Sequence, residues 1–522
     1  MTLMLTLGTA TFGAQKTLPS GKDTGSINVT NLKPGDTVTA YQFVKADYNE
    51  YGFTGYSAIN NYVKDPVAPT AQEVIDMASN AATMTVAAEK KVATGDTEVT
   101  LNGLPVGYYL VMVTSGSETV YSPMIAGIYY SKSATDNTLT NGAISADSDF
   151  EIKAQKCWAK SSTPKLEKTI VTPSSKNSKG DDIAIGDKIT FNLSATVPSY
   201  SKEYKKVTYK IYDIMSEGLD YVDGSMKCFI EKYENNRENI KATPKVNGGI
   251  IEITFDSKFI LEHPGQKIQV EYQAKLNEKA GVNFDANINK AYLEYSNNPA
   301  SGSTAKTGED KVYVYTFGID SNLFGKSTEK WNGKTKELIK VEEGEYQWVE
   351  TEKESGIFTT TTALEGATFT LTNNKTKKSY TATSDKYGYL KFTGLDAGEY
   401  TLQETDAPDG FTLNDAKHTV VITAEYNQDG TLKSYTIKID DKATSTYTAT
   451  YDKGVIKTIT STKDSQGNIS ESAILKNSKM SFLPSTGGVG TTIFAIVGVV
   501  FVAAALGLHM ILRGKSKLEQ DR

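Results

Sequence analysis

Short runs in which apolar and polar residues alternate recur along most of the chain, the period-two pattern of half-buried strands. Leu166, Lys168 and Ile170 share one face of such a run. So do Val207, Tyr209, Ile211 and Asp213, and likewise Asn287, Asn289, Ala291, Leu293 and Tyr295. The runs are rich in Val, Ile, Thr and Tyr and are punctuated by Gly and Asn, which predicts an all-β protein. Two segments share a register: "GLPVGYYLV" from Gly103 and "GLDAGEYTL" from Gly394, both Gly-Leu-x-x-Gly-x-Tyr-x-apolar. The glycines suit a tight turn and the residues after them an inward strand face. The pair predicts two related sandwiches with another unit between them. Two stretches break the period. Thr70 to Ala82 ("TAQEVIDMASNAA") puts Val74, Ile75 and Ala78 on one helical face. Val489 to Leu512 is an uncharged apolar run, long enough at helical rise to cross a bilayer.

At 522 residues the chain exceeds one domain, and three tandem Ig-like sandwiches over about 16–155, 160–315 and 316–480 are expected. Met1 to Ala14 is apolar, with small residues at Ala10, Gly13 and Ala14, like the end of a signal peptide that lacks its basic start. Residues 1–15 are therefore expected to be removed, with cleavage near Ala14. Arg513, Lys515 and Lys517 follow the apolar run, which leaves that tail cytoplasmic and everything before Leu483 outside the membrane. The net charge of -6 and the lack of a basic stripe argue against nucleic-acid binding. With two cysteines and three histidines, the sequence offers no metal-ligand cluster. It also shows no Ser-His-Asp set and no phosphate loop, so neither a cofactor nor turnover of a separate substrate is expected. Cys157 and Cys228 could pair in an oxidising exterior or stand as two free thiols.

The tail reads "FLPSTGGVGTTIFAIVGVVFVAAALGLHMILRGKSK" from Phe482. Its order of Leu483-Pro484-Ser485-Thr486-Gly487, apolar span and short basic end resembles the LPxTG sorting signal of Gram-positive cell-wall proteins, here residues 483–522. In that family the cysteine of a sortase attacks the Thr-Gly bond and holds the chain as a thioester, and an amine then releases it. The resemblance implies that the span at 489–512 is a transient membrane stop and that Thr486 is the carbonyl donor.

The inward-facing residues carry a second resemblance. "GLDAGEYTLQETDAPDGF" is similar to the hallmark strand of Cna B-type domains in sortase-assembled pilins, where a Glu is followed by Ala-Pro-x-Gly-aromatic. Tyr400, Leu402 and Glu404 share parity, so Glu404 points inward unless it reaches water at an edge. In the first copy the matching residue is Val113, and no such chemistry is expected there. "TPKLEKTIV", "IAIGDKITFNLSATVPSY", "VTYKIYDIMSEGLDYV" and "NINKAYLEYSNNP" look like the strands of the middle domain of the same pilins. A core-buried lysine loses its charge readily and a buried carboxyl keeps its proton. An apolar core can therefore hold a neutral amine beside a neutral acid that polarises an asparagine amide. Amine attack with loss of ammonia then gives a Lys-Asn isopeptide bond by proximity and a tuned acid. The resemblance assigns Lys168, Asp213 and Asn289 to this role in the middle unit, with Asn287 as the alternate. In the third unit it assigns Glu404 as acid and Asn477 as the amide. The lysine there is Lys340 by its parity with Leu338, or Lys326, because a long charged insert interrupts the family pattern.

Pilins of this kind also carry an exposed lysine just before the middle domain, which receives the next subunit. "CWAKSSTPKLEKT" occupies that place and points to Lys160, with Lys153, Lys156 and Lys165 remaining open. The expected function is the major shaft subunit of a covalent surface pilus. A pilin-type sortase would polymerise it with copies of itself, and a housekeeping sortase would join it to peptidoglycan. The alternative is a wall-anchored adhesin or accessory pilin that is attached once, and any host-surface ligand is left open.

Overall fold

The computed structural model of the chain describes residues 18–115, 118–131, 143–144, 150–171, 173–174, 177–233, 236–319, 324–327, 336–342, 345–350, 364–386, 390–440, 443–461 and 473–476. Strands dominate, in sheets that are mostly antiparallel. Toward the N-terminus, the long strand Thr37–Asn49 pairs with Gly107–Thr114, Gly52–Ala58 and Val86–Lys91. Against this sheet lies a smaller one of Thr24–Thr30 between Glu98–Pro105 and Cys157–Trp158. Ile27, Val29, Leu101, Tyr109 and Val111 fill the space between them.

The expected helix is present as Ala71–Ser79. Thr70 accepts a hydrogen bond from Glu73 N while the Glu73 carboxylate bonds Thr70 N, a capping box that fixes where the helix starts. Ile75, Met77 and Ala78 are its buried face, with Val74 only half-buried.

The middle of the chain is a two-sheet sandwich. One sheet runs Leu166–Ile170, Lys188–Thr196, Lys267–Leu276, Lys227–Tyr233, Asn236–Asn239. The other runs Gly180–Asp182, Asp310–Tyr315, Asn287–Asn298, Tyr209–Met215, Ile250–Thr254, Thr243–Asn247. Burial alternates strictly along Lys188–Thr196 and Lys267–Leu276, so every second side chain enters the core. Phe191, Leu193, Val270 and Tyr272 meet Ile211, Ile251, Ala291 and Leu293 there. Each large apolar side chain so enclosed contributes about 1.5–3 kcal/mol.

Toward the C-terminus one antiparallel sheet runs from Ser379–Thr383 through Thr368–Asn373, Gly398–Asp406, Lys417–Tyr426, Leu432–Ile439 and Ala443–Asp452 to Val455–Ser461. Phe317 and Ile319, from a short strand paired with Phe392–Leu395, share its core.

The two repeat segments fold alike. Gly103 and Gly394 both take left-handed backbone angles (φ +70° and +76°), which suits glycine. Tyr109 donates its hydroxyl to Pro105 O at 2.5 Å and Tyr400 donates to Asp396 O at 2.7 Å, four residues back in each case. Cys157 and Cys228 are both free and buried. Burial pushes their thiols up to about 11 and about 12, which leaves them unreactive.

Candidate functional site

Lys168 stands at the middle of the outer strand Leu166–Ile170, opposite Leu193. Its backbone is fixed from both sides. Lys168 N donates to Asp310 Oδ2 at 2.6 Å, and Lys168 O accepts from Lys179 Nζ at 2.6 Å. Because Leu166, Lys168 and Ile170 share a face, the lysine side chain has to follow its two apolar neighbours into the sandwich. Asp213 and Asn289 enter from the facing sheet, on neighbouring strands where Asp213 is opposite Ala291 and Met215 opposite Asn289. That diagonal offset puts both side chains on the same inner surface. All three residues are fully enclosed, at 0 % exposure.

Within this core Lys168 Nζ donates to Asp213 Oδ2 and, at 3.1 Å, to the Tyr272 hydroxyl. The rings of Phe191 and Tyr272 lie 5.0 and 5.2 Å from Nζ. Tyr272 donates to Asp213 Oδ1 at 2.7 Å and accepts from Asn289 Nδ2 at 2.7 Å. Burial lowers the Lys168 pKa against the opposing attraction of Asp213, and burial raises that of Asp213 against the attraction of Lys168. Desolvation thus drives the pair toward a neutral amine and a neutral acid. Asn289 Oδ1 is buried without a hydrogen-bond partner among the described residues. Leaving such an acceptor unpaired costs about 1–3 kcal/mol.

The expected direct contact from Asp213 to the asparagine amide is therefore replaced by one through Tyr272. The alternate, Asn287, is occupied elsewhere. Its Oδ1 accepts from Gly281 N at 2.9 Å, and its Nδ2 donates to Gly281 O and Val314 O at 3.1 and 3.2 Å. It clamps a loop, whereas Asn289 shares the Tyr272 hydroxyl with Lys168. Tyr272 did not stand out in the sequence, although Ile268, Val270, Tyr272, Ala274 and Leu276 share parity and would have placed its hydroxyl inside.

Glu404 is 2 % exposed, so it does not reach water at an edge. It accepts from Asn414 N at 2.8 Å. Val113, at the matching place in the first repeat, is a buried apolar residue. Asn477 lies just outside the described residues. The strand leading into it, Ala473–Lys476, pairs in parallel with Phe324–Ser327, with Lys326 opposite Leu475. Lys340 lies in Lys336–Glu342, a strand that among the described residues pairs with its own hairpin neighbour Glu345–Glu350. The backbone thus brings Lys326, rather than Lys340, beside the approach to Asn477.

Lys160 is exposed, yet it is not on a loose linker. Cys157–Trp158 joins Thr24–Thr30 in parallel, Ser161–Ser162 pairs with Val120–Tyr121, and Lys160 O accepts from Ser122 N at 3.0 Å. Cys157 and Ala159 are buried while Trp158 and Lys160 are exposed, so Lys160 stands on a stretch held by paired strands on either side. Lys156 and Lys165 are also exposed, and Lys153 is half-buried on the strand Glu151–Ala154. Leu483, Pro484, Ser485, Thr486 and Gly487 lie outside the described residues, as do the signal segment and the apolar span.

A tandem β protein with a C-terminal sorting signal has the make-up of a wall-anchored surface pilin. Comparison with known proteins agrees. Residues 22–161 match the T6 antigen Ig-like domain, 357–437 the prealbumin-like fold domain and 476–517 the LPXTG cell wall anchor motif. The trypsin-resistant surface T6 protein of Streptococcus pyogenes serotype M6 is 26 % identical over 549 residues, covering 95 % of this chain and 96 % of that protein. The solved structure of the T6 backbone pilin from the same species covers 89 % of this chain and 100 % of its own, with a TM-score of 0.60 at 20 % identity. The full-length major pilin SpaD of Corynebacterium diphtheriae aligns over 88 % of this chain and 98 % of its own, at a TM-score of 0.48 and 16 % identity. The chain is homologous to the T6 backbone pilin and carries both a prealbumin-like domain and an LPXTG wall anchor. Its place is the cell surface, anchored at the wall.

Proposed function

We propose that the chain is the repeating shaft subunit of a covalent surface pilus, built from three sandwich units over about 16–155, 160–315 and 316–480. A pilin-type sortase joins Thr486 of one copy to Lys160 of the next, and a housekeeping sortase passes the last copy to peptidoglycan. The protein is the substrate of these enzymes and turns over none of its own. Its own chemistry is internal, and each bond forms once. The Lys168 amine attacks the Asn289 side-chain carbonyl, the new amide bond forms, the old carbon–nitrogen bond breaks, and ammonia leaves. In the third unit Glu404 serves as the acid for Lys326 and Asn477.

The observation that supports this reading best is the enclosure of Lys168, Asp213 and Asn289 between facing sheets, in a chain that carries a wall-anchor motif and is similar along nearly its whole length to a streptococcal surface protein. A bond from Lys168 to Asn289 ties one sheet to the other, so a pull along the shaft meets a covalent link before it can part the sandwich. The test is electrophoresis of wall extracts in boiling detergent. A ladder of regularly spaced multimers is expected, and a single wall-linked band would favour the adhesin.

A further inference from the structure

We propose that Tyr272 is a catalytic residue of the internal cross-linking reaction, carrying a proton from Asp213 to the departing nitrogen of Asn289. The proposal rests on the isopeptide reading of this core. Three observations carry it. The Tyr272 hydroxyl touches all three reacting groups, at 3.1 Å from Lys168 Nζ, 2.7 Å from Asp213 Oδ1 and 2.7 Å from Asn289 Nδ2. Asp213 makes no hydrogen bond to Asn289: its carboxyl is taken up by Lys168 on one oxygen and Tyr272 on the other. The site is also closed to solvent, since Lys168, Asp213, Asn289 and Tyr272 are all at 0 % exposure, so water is not at hand to carry the proton.

The step balances within these four side chains. Neutral Lys168 Nζ attacks Asn289 Cγ, and its surplus proton passes to Asp213 Oδ2. Attack makes Nδ2 a tetrahedral amine with a free lone pair, and the Tyr272 hydroxyl turns from Asp213 Oδ1 toward it. Asp213 then gives up the proton on Oδ1 to the Tyr272 oxygen as the hydroxyl releases its own proton to Asn289 Nδ2. The Cγ–Nδ2 bond breaks, ammonia departs, and Asp213 and Tyr272 end protonated as they began. A carboxyl whose two oxygens face different partners can take up a proton on one side while giving one up on the other. The phenol suits the relay because burial raises its pKa well above the ordinary tyrosine value, so it stays protonated and passes a proton on without holding the charge. A merely structural tyrosine would need only one of the three contacts to satisfy its hydroxyl.

The test follows the ammonia loss of the secreted chain by intact mass during timed cell-free synthesis. Wild-type, Tyr272→Phe and Asn289→Ala proteins are compared, with folding checked by circular dichroism. Wild type should lose the ammonia of the middle unit and Asn289→Ala should not. If wild type keeps that ammonia, the isopeptide reading itself fails. Given the wild-type loss, folded Tyr272→Phe should form the bond at least tenfold more slowly, and formation at the wild-type rate overturns the relay. If Tyr272→Phe does not fold, 3-fluorotyrosine placed at position 272 alone keeps the shape and hydrogen bonds while acidifying the hydroxyl. A changed rate of ammonia loss then supports the relay, and an unchanged rate overturns it.

Discussion

Lys168 and Asp213 share a dry core in which each, alone, would be a costly buried charge. With a bond to Asn289 in place the lysine is an amide and the cost is gone. Asn289→Ala should therefore leave the middle unit at its full sequence mass, with no ammonia lost, and Asp213→Ala should do the same by removing the acid. Asp213→Ala should also destabilise the unit by about 3–5 kcal/mol, the usual cost of stranding one member of a buried pair, read as a lower denaturant midpoint. Asp182 makes a different prediction, at the contact between the middle and C-terminal sheets. It accepts from the Tyr426 hydroxyl at 2.6 Å and from Ala397 N, and burial raises it from 3.8 to about 6. The folded state then holds this proton more tightly than the unfolded chain. Its stabilising effect is full below the ordinary carboxyl value and is lost as pH rises through about 6. The stability difference between wild type and Asp182→Asn should shift by roughly 2–3 kcal/mol across that window, against wild type at the higher pH. Melting curves at a series of pH values check it, and a constant difference would contradict it. At this scale the sequence was legible wherever parity set a polar residue among apolar ones, as for Lys168, Asp213 and Asn289. Tyr272 escaped because an inward tyrosine looks like ordinary core until its hydroxyl's partners are seen.

The strands around Glu404 show where pattern reading reached its limit. Tyr400, Leu402 and Glu404 were placed inward by parity, and all three are buried. The choice between Lys340 and Lys326 was not legible, because parity ranks residues within a strand and says nothing about which strands become neighbours. Lys340 has the right parity with Leu338, but its strand pairs with the one just after it. Phe324–Ser327 instead lies parallel to Ala473–Lys476, a long-range pairing that no local pattern announces. Lys326→Ala should accordingly abolish the third-unit ammonia loss and Lys340→Ala leave it intact, as peptide mapping of the two variants would show. The reverse outcome would restore Lys340. Glu404→Ala should remove the same cross-link and spare the one in the middle unit. It closes a long loop, so by analogy with a disulfide its loss should cost on the order of 4 kcal/mol, read as a lower melting temperature. The helix was the easier case. Thr70 and Glu73 form a cap with a local signature, and a local signature can be read from a linear sequence.

Across the whole molecule the sandwiches are held in contact rather than strung on free linkers. Tyr295 donates to Glu118 O at 2.5 Å between the N-terminal and middle sheets. Lys378 bonds Ile185 O at 2.7 Å and Asp187 at 3.0 Å between the middle and C-terminal ones. Lys160 belongs to this framework, held between the short paired strands Cys157–Trp158 and Ser161–Ser162 with the exposed Trp158 two residues before it. On the proposed reading, a Lys160 acceptor and a Thr486 donor, far apart in the chain, would make a head-to-tail joint that repeats without closing, as heterologous contacts do. Lys160→Ala should leave a folded, wall-attached monomer and erase the multimer ladder. A ladder that survives it but is lost in Lys153→Ala, Lys156→Ala or Lys165→Ala would move the acceptor without changing the function. The most direct measurement is tandem mass spectrometry of protease-digested multimers taken from the cell wall. The account predicts a branched peptide in which the Thr486 carbonyl is joined to the Lys160 side chain of another copy. Finding Thr486 joined to peptidoglycan alone, with no branch to a lysine of another copy, would contradict it.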